Sequence, residues 1–255
     1  MNSQDNKEKN FEKSVGFLKD SIKEKPDVIC LSERFLYWGD EKQEEAETID
    51  SKYIKYFQNF AKENQVNIVL GSVSVKIENS KKTTNTTFVV NRKGEIIHRY
   101  DKIYMFNVDK KDIKIQESDS TKSGKSFGIF ELDGVYVGVG ICYDLRYPEY
   151  FQALVEQGVE MIFLPANFRE NTGKIAWDVL TKSRAIENQV YFCACGQTGG
   201  DGVTKRCANT RVVSYDGQII DELGYEEGIL YADLDLNKLR TFRKEFPVLK
   251  QIKKY

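Results

Sequence analysis

Residues 134–149 read Gly-Val-Tyr-Val-Gly-Val-Gly-Ile-Cys-Tyr-Asp-Leu-Arg-Tyr-Pro-Glu, and no other stretch constrains the chain as much. Val135, Val137, Val139 and Ile141 supply β-branched bulk, and the glycines between them allow close backbone approach. This predicts a buried strand. Pro148 suits the first turn of a helix, where its missing N–H costs nothing. Phe151, Leu154 and Val155 give that helix an apolar face, and Gly158 can cap its end. Cys142 falls where strand gives way to helix. A thiol there is expected to stand clear of the core, beside the positive end of a helix that favours a thiolate. The competing reading is an inert, packed cysteine.

Around this stretch the pattern alternates between helix and strand. Helical spacing of Phe11, Val15, Leu18 and Ile22 predicts a helix over 8–24, stopped by Pro26. Residues 27–31 read as a short buried strand ending at Ser32-Glu33-Arg34, and residues 40–50 as an acidic loop. A second helix surrounds Ile54, Phe57 and Phe60. Residues 66–75 form a strand broken by Gly71, and 86–90 with 95–100 a hairpin that delivers Asp101-Lys102. Residues 105–125 are expected to be a long loop. A strand over 126–132 leads into the stretch at 134–149. Beyond it come a strand over 159–165, a loop over 166–174, a helix over 175–188 and a strand over 190–195. A glycine-rich turn, a hairpin at 211–220, a last strand over 228–236 and a basic tail over 237–255 complete the chain. No linker interrupts this, so its 255 residues are expected to form one α/β domain.

A net charge of -1 leaves no global footprint for nucleic acid or an anionic membrane. No apolar h-region opens the chain and no apolar run suits a bilayer. Five cysteines, odd in number and irregular in spacing, argue for a reducing compartment, so a cytoplasmic protein is expected. Cys193 and Cys195 share one strand face, but no further Cys or His cluster completes a zinc site, and no metal is expected. His98 is the lone histidine and lies in the hairpin, where solvent or packing is its expected fate. A nucleophilic thiol therefore needs a carboxylate as its base. Glu33 and Asp144 both stand at strand ends, as does the ammonium of Lys102, and sites in α/β sheets lie beyond the carboxyl ends of strands.

Leu31-Ser32-Glu33, Tyr100-Asp101-Lys102-Ile103-Tyr104-Met105-Phe106 and Ile141-Cys142-Tyr143-Asp144-Leu145-Arg146-Tyr147-Pro148-Glu149 resemble, in order and spacing, the three signatures of the carbon–nitrogen hydrolase (nitrilase) superfamily. Gln116-Glu117-Ser118, Asn171-Thr172-Gly173, Arg184-Ala185-Ile186-Glu187-Asn188-Gln189 and Pro247-Val248-Leu249-Lys250 extend the resemblance over nearly the whole chain. It implies a four-layer α-β-β-α sandwich and a Glu33–Lys102–Cys142 triad, with Glu117 orienting the lysine. The implied oxyanion donors are the Lys102 ammonium and the Tyr143 backbone N–H, and no metal or organic cofactor is required. Cys-Tyr-Asp with Asn171-Thr172-Gly173 and Trp177 is most similar to the omega-amidase branch, which removes ammonia from monoamides of dicarboxylic acids such as 2-oxoglutaramate. A distal carboxylate there needs a cation, and Arg146 and Arg169 are the candidates, with Phe168 or Tyr37 as pocket wall. The resemblance also implies homodimers or larger assemblies, paired through helices beside the nucleophile, with Phe246–Leu249 as a tail anchor.

Three features depart from the family. Its opening apolar strand is represented only by Met1-Asn2-Ser3-Gln4-Asp5-Asn6, a polar remnant, which is expected to leave a sheet edge uncovered. Ser32 replaces the common proline beside the glutamate. Ala208-Asn209-Thr210 stands where Gly-His-Ser is frequent. The competing functions are hydrolysis of N-carbamoyl amines or nitriles, and an impaired family member serving as a binding subunit.

Overall fold

Side-chain caps start the first two helices. Asn6 accepts the Lys9 N–H at 3.0 Å to open α1 (Lys7–Ser21), and Ser51 accepts the Ile54 N–H at 3.3 Å to open α2 (Lys52–Asn64). These positions come from a computed structural model that describes residues 1–40, 43–110, 113–207 and 209–252. Between and after the two helices run β1 (Val28–Cys30), β2 (Asn67–Lys76), β3 (Thr83–Val90) and β4 (Ile96–Asp101). They form one sheet in that order, with β1 parallel to β2 and the rest antiparallel.

A small ribbon, β5 (Asn107–Lys110) and β6 (Ile113–Gln116), leads to a single helical turn, α3 (Glu117–Ser120). β7 (Ile129–Leu132) and β8 (Val135–Val139) follow, then α4 (Pro148–Glu156), β9 (Met161–Ala166), α5 (Glu170–Asn188), β10 (Tyr191–Gly196), β11 (Arg211–Val213), β12 (Ile219–Glu222) and α6 (Leu236–Glu245). The second sheet has the order β12-β11-β10-β9-β8-β7, with β8, β9 and β10 parallel.

Strand alternation sorts side chains into layers. Ile68, Leu70, Phe88 and Val90 of the first sheet cluster with Leu18 of α1 and Ile54 and Phe57 of α2. Their neighbours Val69 and Val89 point the other way and join Val137, Val139 and Phe163 of the second sheet. On the far side of that sheet, Phe192 meets Phe151 of α4 with ring centroids 5.6 Å apart, and a Cβ at Gly138 would stand 2.9 Å from Leu154. Helices thus cover the outer face of each sheet, and the two inner faces share one core.

Several expectations need correcting. Residues 105–125 are not one loop: β5, β6 and α3 occupy most of it, although Lys111 and Asp112 lie outside the described residues. That ribbon is short and polar, so its alternation is weak. α5 begins at Glu170, which leaves only residues 167–169 as the loop before it. Residues 228–236 carry no strand. A strand exists only through pairing, and among the described residues this segment has no ladder partner, although Ile229 and Leu230 border a cavity with Ile29 of β1 and Cys193 of β10. Within the C-terminal tail lies α6, whose Leu239 is fully buried, and beyond it Phe246 is 59% exposed.

Residues 1–6 form no strand; instead Ser3 N–H donates to Gln197 Oε1 at 2.9 Å and Trp38 N–H to Gln4 O at 3.0 Å. Ala208 lies outside the described residues. Among the described residues, no helix is long and apolar enough to cross a membrane, and no cluster of three or more His, Cys, Asp or Glu side chains is placed to hold a metal ion.

Candidate active site

Four strand ends deliver the chemistry. Glu33 lies just past β1, on a segment held to β2 by Leu31 N–H to Val69 O at 3.0 Å and Ser72 N–H to Ser32 O at 3.3 Å. The segment passes so near β2 that a Cβ at Gly71 would overlap the carbonyls of Leu31 and Ser32. Glycine is required there by space, and β2 shifts register around it. Lys102 follows β4. Asn85 of β3 ties these two ends together: its carbonyl accepts the Lys102 N–H at 2.9 Å, and its side-chain Nδ2 donates to Glu33 Oε1 at 2.9 Å. Glu117 enters from the start of α3.

Cys142 opens a 3-10 turn (Cys142–Arg146) after β8, with φ of 48°, a left-handed conformation that is strained for any residue with a side chain. Asp144 fixes this turn. Its Oδ2 accepts the Ile141 N–H at 2.7 Å and the Tyr100 hydroxyl at 2.7 Å, and its Oδ1 accepts the Tyr104 N–H at 3.0 Å. Arg184 Nε braces it further by donating to Leu145 O at 3.0 Å. Asp144 is thereby occupied as a structural brace, which removes it as the alternative base. His98 is excluded on position: it stacks on Phe130, with ring centroids 5.4 Å apart, beside a different cavity.

Lys102 Nζ stands 2.9 Å from Glu117 Oε2 and 3.3 Å from Glu33 Oε1, and the lysine is 2% exposed. Burial alone would favour the neutral amine, but the two carboxylates outweigh it and hold the ammonium charged. Burial would likewise raise Glu117; Lys102 and Arg34, with the Phe106 N–H at 2.8 Å, instead hold its carboxyl down to about 2. The thiol differs from the sequence reading. Cys142 is 8% exposed, and burial together with Glu33 pushes its pKa well above the ordinary thiol value, against Lys102 and the Asn167 backbone N–H. That direction favours the neutral thiol, and a helix turn this short does not reverse the desolvation.

Cys142, Glu33, Lys102 and Glu117 border one cavity of about 310 Å3. Tyr143, Arg146, Phe168 and Arg169 all lie along its wall; of the residues weighed from the sequence for the site, Tyr37 and Asp144 do not border it. Trp38 lines it instead. Arg146 lies across the rings of Tyr143 and Phe168, 5.6 and 5.7 Å from their centroids, and donates to Thr172 O at 2.7 Å. Sequence reasoning missed Arg34, Asn85, Lys114 and Asn167. Arg34 was adjacent to Glu33 in the motif. Asn85 sits in Thr-Thr-Asn-Thr-Thr, where only strand pairing reveals its neighbour.

Fold and site together define an α/β protein with two packed sheets and a buried carboxylate–ammonium–thiol cluster at their strand ends. The sequence model of the carbon-nitrogen hydrolase family matches residues 1–244, and the chain belongs to that family. Omega-amidase NIT2 of Mus musculus is 31% identical over 249 residues, covering 96% of this chain and 90% of its own length. The deaminated glutathione amidase of Dictyostelium discoideum is 30% identical over 262 residues, covering 97% of this chain and 90% of its own length. The crystal structure of the C. elegans NitFhit protein superposes with a TM-score of 0.91 at 25% identity, covering 99% of this chain; the chain spans 63% of that longer protein. The family assignment makes this chain a hydrolase of carbon–nitrogen bonds, as the three motifs imply.

Proposed function

We propose that the chain hydrolyses a small linear amide, most simply the monoamide of a dicarboxylic acid, through a thioester on Cys142. Glu33 takes the thiol proton as sulfur attacks the carbonyl carbon. The Lys102 ammonium and the Tyr143 N–H meet the oxyanion. The C–N bond breaks, Glu33 returns the proton to the departing nitrogen, and ammonia leaves. Glu33 then deprotonates a water that attacks the thioester, and the released sulfur regains its proton as the acid departs. Glu117 keeps Lys102 charged and aimed throughout. Arg146 and Arg169 meet the distal carboxylate.

The observation that carries this reading is the Lys102 ammonium, bonded to both Glu33 and Glu117 beside a thiol that needs a base. A cavity of about 310 Å3 sits at the small end of ligand sites, which favours a short acyl chain over a peptide. The similarity to an enzyme named for deaminated glutathione, at nearly the same identity as the omega-amidase, supports a longer amide as the second reading.

The test is ammonia and carbon dioxide release from a panel of succinamate, glutaramate, 2-oxoglutaramate, N-carbamoyl amines and nitriles. The expected result is ammonia without carbon dioxide from the monoamides, lost in Cys142→Ala and in Glu33→Gln, with acyl-enzyme on Cys142 of the wild-type protein detected by mass spectrometry after acid quench during turnover. Carbon dioxide release, or turnover that survives Cys142→Ala, would overturn it.

A further inference from the structure

Asn167 is the first residue beyond β9, the strand paired with β8, and Cys142 opens the turn that follows β8. It is 6% exposed, and its backbone N–H is directed at the Cys142 sulfur. Yet both polar atoms of its carboxamide, Oδ1 and Nδ2, are buried with no hydrogen-bond partner among the described residues. The other charged groups deep in the cavity are committed: Glu33 to Lys102 and Asn85, Glu117 to Lys102 and Arg34. A carboxamide offers one acceptor and two N–H donors, and a buried one rarely goes without both.

We propose that the Asn167 carboxamide is a substrate-binding group, and that it selects amides bearing a polar substituent, both donor and acceptor, on the carbon next to the scissile carbonyl. This rests on the reading of Cys142 as nucleophile. In that reading the carbonyl oxygen belongs to Lys102 and the Tyr143 N–H, and the departing nitrogen receives the Glu33 proton. The atoms left to face Asn167 are the first ones of the acyl chain. A hydroxyl there gives to Oδ1 and accepts from Nδ2, whereas a methylene leaves both unsatisfied. Sites built to hydrogen-bond a substrate group discriminate strongly against the analogue that lacks it.

Two measurements test this. In the first, Cys142 alkylation by 2-chloroacetamide is compared with alkylation by chloroacetone, each rate divided by that of free glutathione. Both place a carbonyl next to the attacked carbon, but only the amide adds N–H donors. The wild-type protein is expected to favour the amide by about tenfold or more over glutathione, and Asn167→Ala to lose that preference. In the second, glutaramate is compared with 4-hydroxyglutaramate, with the same expected loss in the ratio of kcat/KM. An alkylation ratio equal to that of glutathione, or one unmoved by Asn167→Ala, would overturn the proposal. So would a large fall in Tm for Asn167→Ala, which would assign the amide a structural role. Turnover with an unmoved ratio sinks the Asn167 subsite and leaves the hydrolase reading standing. A moved alkylation ratio without turnover of either amide does the reverse.

Discussion

Glu117 is the residue where charge and stability are tied most closely. Its carboxylate bonds Lys102 and Arg34 in a place almost free of water, and its pKa is held down to about 2. In the unfolded chain it returns to the ordinary carboxylate range. As pH falls, the unfolded state therefore binds the proton first, and stability that is fully present above about pH 4.5 is lost progressively toward about pH 2. Glu117→Gln should flatten that part of the stability–pH curve measured by urea unfolding. At pH 7 the same variant should be less stable by about 3–5 kcal/mol, because the Lys102 and Arg34 charges remain buried with less to oppose them. Its kcat should fall more than its KM rises if the carboxylate acts by holding Lys102.

At the scale of elements, the passage of the Leu31–Glu33 segment over Gly71 decides whether the base reaches the thiol. Gly71→Ala places a methyl group against two carbonyls that cannot turn away, since Ser32 O already accepts from Ser72. The expected outcome is a stability loss of about 1–3 kcal/mol and a marked fall in kcat, read by thermal unfolding beside steady-state turnover. This element also marks what a sequence discloses. The period-two and helical patterns of Val135–Ile141 and Phe11–Ile22 announce strand and helix because burial repeats along them. Glu33, Lys102 and Cys142 are legible because each closes such an element within a quotable motif. Asn85 and Asn167 are not, since their meaning lies in a neighbour brought by another strand. The ribbon at 107–116 hides for a different reason: it is too short and too polar to show alternation. The segment at 228–236 misleads in the opposite sense, having the apolar content of a strand but, among the described residues, no ladder to a sheet edge.

At the scale of the whole molecule, α5 presents an apolar stripe to solvent. Ile175, Val179 and Ile186 of α5 are 81%, 51% and 53% exposed, and they recur on one side of the helix that braces the nucleophile turn. We propose that this stripe is the surface through which two chains pair, since the resemblance implies pairing through helices beside Cys142. Light scattering is expected to give a mass near twice the 29.4 kDa of one chain. Ile175→Glu combined with Val179→Glu should return it to that of a single chain, and a wild-type monomer would refute the pairing. A last consequence follows from the site's split parentage. Glu33 and Lys102 are carried by one sheet and Cys142 by the other, so chemistry requires the two halves of the sandwich to be docked in register. Turnover is then an assay for docking. If the layers part before their helices melt, urea should extinguish hydrolysis at concentrations where the circular dichroism of the helices is still intact.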